Sequence, residues 1–262
     1  MDTSTLFSLE GRTALVTGGS RGIGKMIATG LLAQGAKVYI TARKAEACDL
    51  AAADLSSVGD CVSVPGDVSS IDGIDRLVAV IAERESSLEI LVNNAGAAWA
   101  ASFDEFPESG WDKVMAVNTK APFFLTQRLL PLLTPKPSRP VSKVINIASI
   151  DGLGIDQART YSYHASKAAL IHMTNRMSVD LAPRGINVTA IAPGAFPSEM
   201  NRAARDHGDQ IAAIVPAGRI GTAEDMAGAA IFLASRAGDY VVGTTLTVDG
   251  GVSHTRAVSL DH

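Results

Sequence analysis

A mostly parallel, doubly wound α/β sheet is the fold this chain predicts, with about seven strands, helices on both faces and a single domain over residues 1–262. Three observations predict it. Short apolar runs rich in β-formers alternate with segments of helical periodicity from end to end. The first run ends in a burst of glycine, Gly18-Gly19-Ser20-Arg21-Gly22-Ile23-Gly24, which opens directly into a helix. Glycine and polar punctuation falls just past the strand ends, at 18–24, 42–43, 67, 93–96, 149 and 193–194. It therefore collects on the one sheet edge where open α/β folds bind ligands.

The elements follow in order. Residues 13–17 form the first strand. Ile23, Ile27 and Leu31 recur every four residues, with Ala28 and Leu32 beside them, and give a helix that Gly35 ends. Residues 36–42 are the second strand, 45–56 an alanine-rich helix, and 61–67 a short strand running into a loop. Helical spacing returns over 74–85. Strand four, 88–92, closes on Asn93-Asn94-Ala95-Gly96. Residues 111–133 read as one helix, largely buried in its second half and stopped by Pro131, Pro135, Pro137 and Pro140. These prolines force an exposed loop, but the alternation resumes beyond it, so no domain boundary falls there. Strand five is 143–148. The helix 163–181 ends at Pro183 and Gly185. Strand six, 186–191, stops at Pro193-Gly194. A mixed polar segment, 196–217, precedes the helix 223–234 and the strand 245–248.

Composition narrows the function. A net charge of -4 with no basic block argues against nucleic acid as a partner. No apolar run reaches membrane-span length, and the first ten residues lack signal-peptide architecture. Cys48 and Cys61 have no metal-ligand companions, so no metal site is expected and both read as free thiols of a cytoplasmic protein.

The glycine turn is a candidate pyrophosphate cradle. Absent side chains let backbone N–H groups approach a phosphate, and a helix N-terminus favours the negative charge. Tyr163 and Lys167, four apart, share a helix face. A nearby ammonium favours the phenolate, so the tyrosine pKa is expected to fall toward the working range and suit it to proton transfer with a carbonyl oxygen. Ser149, just past strand five, is in place to hydrogen-bond that oxygen. Tyr161 has alanine at the equivalent offset. Arg21 and Arg43, with no carboxylate at the end of strand two, suit the 2′-phosphate of NADP over the 2′-OH of NAD. Ala97, Ala98, Trp99, Gly152, Leu153, Ile155 and Phe196 are candidates for an apolar substrate wall, although Trp99 equally fits plain packing. His164 and His172 read as structural, and Asp151 and Asp156 as solvated loop carboxylates.

Taken together, Thr17-Gly-Gly-Ser-Arg-Gly-Ile-Gly24, Asn93-Asn-Ala-Gly96, Ser149, Tyr163-x-x-x-Lys167 and Pro193-Gly194 resemble, in order and over nearly the whole chain, the short-chain dehydrogenase/reductase family. Within it the likeness is greatest to 3-oxoacyl-[acyl-carrier-protein] reductases of the rhamnolipid type. The resemblance implies a Rossmann-type fold and a catalytic set of Asn118, Ser149, Tyr163 and Lys167. Tyr163 would be the acid/base, and Lys167 would tune it and bind ribose. Ser149 would orient the carbonyl, and Asn118 would hold a relay water. The cofactor would be NADP (as NADPH), held by Gly18, Ser20, Arg21, Gly22, Ile23, Gly24, Arg43, Asp67, Val68, Asn94, Ala95, Gly96, Tyr163, Lys167, Pro193 and Gly194. Asp67 and Val68 would flank the adenine. Ser149 and Tyr163 are 14 apart, about one residue more than the family's usual spacing.

The expected substrate is a 3-oxoacyl thioester, borne on acyl carrier protein, or a similar apolar ketone. A sugar acid, polyol or secondary alcohol is the alternative, and a noncatalytic dinucleotide sensor is the rival from another class. Residues 196–217 would cover the substrate. A homotetramer is expected, paired through helices 111–133 and 163–181, with residues 252–262 either packed across that interface or disordered.

Overall fold

Seven strands pair side by side, all parallel, in the order β3-β2-β1-β4-β5-β6-β7. They are β1 (Thr13–Thr17), β2 (Lys37–Thr41), β3 (Cys61–Ser63), β4 (Ile90–Asn93), β5 (Ser142–Ile147), β6 (Ile186–Pro193) and β7 (Thr245–Val248). The computed structural model describes residues 3, 5–135, 137, 141–199 and 201–254, the side chains of 202 and 203 excepted. Part of the proline loop (136 and 138–140) and the tail from 255 lie outside these residues.

The chain winds outward from β1 through β2 to β3, then returns to β4 and winds the other way. The order reverses between β1 and β4, where a crevice opens at the strand C-termini. The inner strands β1, β4 and β6 are buried on both faces and mostly apolar, as a covered parallel sheet requires.

Side-chain alternation divides the core in two. Ala14, Val16 and Ile40 face α1 (Gly22–Ala33), α2 (Ala45–Leu55) and α9 (Ala223–Ala234). Leu15, Tyr39, Leu91 and Val144 face α3 (Ile71–Arg84), α5 (Ala121–Leu133) and α6 (Tyr161–Leu181). On the first side α1 and α9 are tightly apposed, and a Cβ on Gly30 would sit 2.6 Å from that of Ala227.

Several boundaries differ from the sequence reading. Helix α3 begins at Ile71, three residues early, because the Ser70 hydroxyl accepts the Gly73 N–H at 3.2 Å and caps it. The expected helix 111–133 starts earlier, as α4 (Glu108–Met115), and passes through a π-helical turn, Ala116–Lys120, into α5. Pro131 does not stop α5. It lies in the last turn, and the helix runs on to the fully buried Leu133. Helix α6 takes in Tyr161. The polar segment after β6 holds two short helices, α7 (Arg202–Asp206) and α8 (Gly208–Ala212). Among the described residues no helix is long and apolar enough to cross a membrane. Both cysteines are free, Cys48 buried and Cys61 half-buried.

A buried polar chain ties the second half of the sheet to its helices. Asn93 Nδ2 on β4 donates to Asn146 Oδ1 on β5 at 2.9 Å and to Thr126 Oγ1 on α5 at 3.3 Å. Asn146 Nδ2 donates in turn to Thr174 Oγ1 on α6 at 2.9 Å. Asn146 and Thr174 are fully buried, so loss of either partner strands the rest away from water. Asn146→Ala is expected to lower the unfolding free energy by about 2 kcal/mol in urea titration; an unchanged midpoint would show that the chain does not hold these elements together.

Candidate active site

The glycine turn after β1 is shaped by its neighbours. Gly18 and Gly22 adopt φ of 66° and 53°, where a side chain is strained. A Cβ on Gly24 would run into the Gly18 carbonyl and the Asn94 amide. Thr17 and Asn94 lock this turn to the end of β4. The Thr17 hydroxyl accepts the N–H groups of Asn94 and Ala95, each at 2.9 Å, and Asn94 Nδ2 donates to the Thr17 carbonyl at 2.8 Å and the Gly18 carbonyl at 3.2 Å. Asn94 thus acts first as a brace. Helix α1 starts at Gly22 with no side-chain cap and no acidic residue in its first turn. Its N–H groups and partial positive charge therefore remain for an anion.

Other predicted cofactor contacts ring this turn. Ser20 and Ile23 are half-buried on it, and Arg21 is exposed. Arg43, also exposed, follows β2, and among the described residues neither arginine has a carboxylate partner. Asp67 commits one oxygen to the Ser69 N–H at 2.9 Å, while Val68 is buried beside it. Gly96 is half-buried just past Ala95. Pro193 ends β6, and Gly194 donates to the Val248 carbonyl at 2.9 Å, with no room for a Cβ against Asp249. Ser198 was not singled out from the sequence. Its Cβ would lie 3.2 Å from one placed on Gly22, so it closes the cradle from the β6 side. In the sequence it closes the run Pro193-Gly-Ala-Phe-Pro-Ser198, part of the likeness to the rhamnolipid-type reductases.

Three of the predicted catalytic residues, Ser149, Tyr163 and Lys167, meet at the end of β5, and the fourth, Asn118, is linked to the helix that bears two of them. Lys167 is 4% exposed, and its Nζ donates to the Ile147 carbonyl at 2.6 Å. One turn earlier on α6 stands Tyr163, its ring centroid 5.5 Å from that Nζ. Ser149, nearly buried, accepts the Asp151 N–H at 3.1 Å and is the polar neighbour of the Tyr163 hydroxyl. Asn118 sits in the π-turn, a widening frequent at functional sites. Its Oδ1 accepts the Ala97 N–H at 2.8 Å, and its Nδ2 donates to the Ala97 carbonyl and to Ser166 Oγ, each at 2.9 Å. Ser166 donates to the Tyr163 carbonyl at 2.8 Å, so Asn118 is coupled to the helix bearing the tyrosine.

The electrostatics correct one expectation. Tyr163 is pushed up to about 12, mainly by burial, with the charge of Asp151 adding and Ser149 opposing. Lys167 is brought down to about 8, again by burial, with Asp151 opposing. Proximity to the lysine does not lower the phenol here. The ammonium sits over the ring and donates to a carbonyl, and desolvation disfavours both ions.

The substrate side is likewise revised. Phe196 is 2% exposed and belongs to the core, not the pocket wall. Trp99 packs on Gly110 beneath Lys113. Leu153 and Ile155 are exposed beyond Ser149. Tyr161 stacks edge-on with Phe103 and Phe106, at centroid separations of 5.6 and 5.7 Å, which marks it as a packing residue. His172 is exposed. His164, expected to lack a carboxylate partner, has one in Asp156 at 3.2 Å, with Asp151 in the same cluster.

This geometry agrees with the comparisons. The model of a family described as Enoyl-(Acyl carrier protein) reductase matches residues 18–253. The chain is 47% identical to the rhamnolipids biosynthesis 3-oxoacyl-[acyl-carrier-protein] reductase of Pseudomonas aeruginosa over 249 residues, 94% of this chain and 97% of that protein. It is 40% identical to the 5-keto-D-gluconate 5-reductase of Escherichia coli over 252 residues, 94% and 97% of the two chains. The solved RhlG/NADP active-site complex of Pseudomonas aeruginosa has a TM-score of 0.91 at 46% identity, covering 95% of this chain and 99% of that one. A gluconate 5-dehydrogenase from Burkholderia cenocepacia, in complex with NADP and tartrate, has a TM-score of 0.87 at 36% identity, covering 96% and 99%. With a glycine cradle at the switch point and serine, tyrosine and lysine gathered beside it, the chain is an oxidoreductase of the short-chain dehydrogenase/reductase family.

Proposed function

We propose that the protein is an NADPH-dependent reductase of 3-oxoacyl thioesters, carried on acyl carrier protein, or of similar apolar ketones, with Tyr163 as the proton donor. One observation carries this reading most directly: Ser149, Tyr163 and Lys167 meet at the end of β5, on the same sheet edge as a glycine turn so tightly packed that a side chain on Gly24 would strike Gly18 and Asn94. Identity of 47% to a 3-oxoacyl-[acyl-carrier-protein] reductase supports the substrate class.

Gly18, Ser20, Gly22, Ile23 and Gly24 would hold the pyrophosphate at the α1 N-terminus. Arg21 and Arg43, without a carboxylate partner among the described residues, would hold the 2′-phosphate. Asp67 and Val68 would flank the adenine. Asn94, Ala95 and Gly96 would line the middle, with Lys167 at the ribose and Pro193 and Gly194 at the far end. The nicotinamide supplies a hydride. Ser149 hydrogen-bonds the ketone oxygen, and Tyr163 delivers a proton to it. Lys167 steadies the charge left on the phenol. Asn118 has its side-chain amide committed to Ala97 and Ser166, so its main-chain carbonyl is the group assigned to the relay water. Residues 196–217 cover the substrate as a segment of the same domain.

A second reading is reduction of a polyhydroxylated keto acid. Its support is the half-buried carboxylate of Asp151 beside Ser149, together with 40% identity to a 5-keto-D-gluconate 5-reductase. A panel of 3-oxoacyl thioesters against keto-gluconates separates the two. We further infer a cytoplasmic homotetramer paired through α5 and α6, where Phe123 and Val179 are exposed. Light scattering should give four chains, and a monomer would refute this.

Tyr163→Phe should lower kcat by at least about a hundredfold with NADPH affinity retained, as read from nicotinamide absorbance and fluorescence titration; full activity would assign the proton to another group. Arg43→Ala should weaken NADPH by about tenfold and leave NADH nearly unchanged; equal losses would remove Arg43 from the 2′-phosphate site.

A further inference from the structure

The turn after Ser149 carries a carboxylate that the reaction as described does not use. Asp151 is half-buried at the mouth of the site. Its backbone N–H is held by Ser149 Oγ at 3.1 Å. The next residue, Gly152, is pressed onto α6 so closely that a Cβ there would lie 2.7 Å from the main chain of Lys167. The position of Asp151 is therefore set from both sides.

Its carboxylate also belongs to a cluster of titratable groups. A ligating atom from each of Asp151, Asp156 and His164 lies within 4.8 Å of the others. His164 Nδ1 faces both the Thr160 carbonyl at 3.1 Å and the Thr160 hydroxyl at 3.2 Å. The opposite nitrogen, Nε2, meets Asp156 at 3.2 Å. His164 directly follows Tyr163 in the chain, so the contact with Asp156 joins the loop before α6 to the catalytic turn of the helix.

We propose that Asp151, fixed between Ser149 and α6 and set beside His164, is a positioning residue whose negative charge keeps the proton on Tyr163 and so sets the resting site for carbonyl reduction. The charged and titratable groups that bear on Asp151 are Asp156 from the loop, and His164 and Lys167 from α6; Ser149 faces it from the β5 end. Tyr163 answers to the same carboxylate, whose charge opposes ionisation of the phenol. Asp151 adds to the effect of burial, and Ser149 opposes both. Reduction needs a protonated tyrosine at the start, whereas alcohol oxidation needs the phenolate.

The test is an NMR titration of isotope-labelled tyrosine in the full chain, with saturating NADP+ and again without it. Tyr163→Phe assigns the signal. Asp151→Asn should move the Tyr163 midpoint down by about one pH unit, and Asp151→Glu should restore it. The alkaline limb of the reduction rate should shift the same way. If the asparagine variant does not fold, Asp151→Ser serves, with the same expected shift. A midpoint that is unchanged or raised overturns the proposal. The inference rests on Tyr163 as proton donor, but the titration needs no substrate. A lowered midpoint in a protein inert toward 3-oxoacyl thioesters would uphold the inference and sink the substrate reading. An unchanged midpoint in an active reductase would do the reverse.

Discussion

The site depends on one buried contact, the Lys167 ammonium against the Ile147 carbonyl at 2.6 Å. An ammonium taken out of water needs a partner, and the last carbonyl of β5 supplies one. That bond fixes the start of α6 against the end of β5. Tyr163 then stands one turn up the helix, beside Ser149, without any further device. The same burial lowers the lysine to about 8 and raises the tyrosine to about 12. At neutral pH the phenol therefore keeps its proton, while the lysine is still largely an ammonium.

Behind this contact lies a scaffold of neutral polar groups. Asn93, Asn146, Thr126 and Thr174 join β4, β5, α5 and α6 below the site, while Asn118 and Ser166 join the π-turn to α6. Thr17 and Asn94 do the same for the glycine cradle. Most of these links lie in the buried interior, where hydrogen bonds hold geometry well and are costly to lose. Both halves of the site therefore rest on the ends of β4 and its two neighbours, β1 and β5.

Much of this was legible in the sequence because parallel sheets punctuate themselves. Ser149 and the glycine turn lay just past strand ends, Tyr163 and Lys167 showed as a four-residue pair on a helix, and Asn118 came only from the family resemblance. The glycine positions were legible for a related reason, since only close approach or left-handed backbone calls for them. What sequence could not supply was dielectric and long-range pairing. The four-residue spacing of Tyr163 and Lys167 made them neighbours but said nothing of the burial that reverses the expected shift. His164 found Asp156 across a loop of no regular period, and Phe196 turned inward from a segment that reads as polar cover. Helix α3 began early on the Ser70 cap, a signal present in the sequence but weaker than the apolar spacing that follows it.

The account claims that one edge of the sheet both binds the dinucleotide and delivers hydride to a ketone. The most direct measurement is isotope transfer: NADPH carrying deuterium at its reactive ring carbon is mixed with protein and a 3-oxoacyl thioester, and the product is analysed by mass spectrometry. The account predicts one deuterium at the former ketone carbon, with NADH giving far less. A product without deuterium, or no product from thioesters while keto-gluconates are labelled, would contradict it.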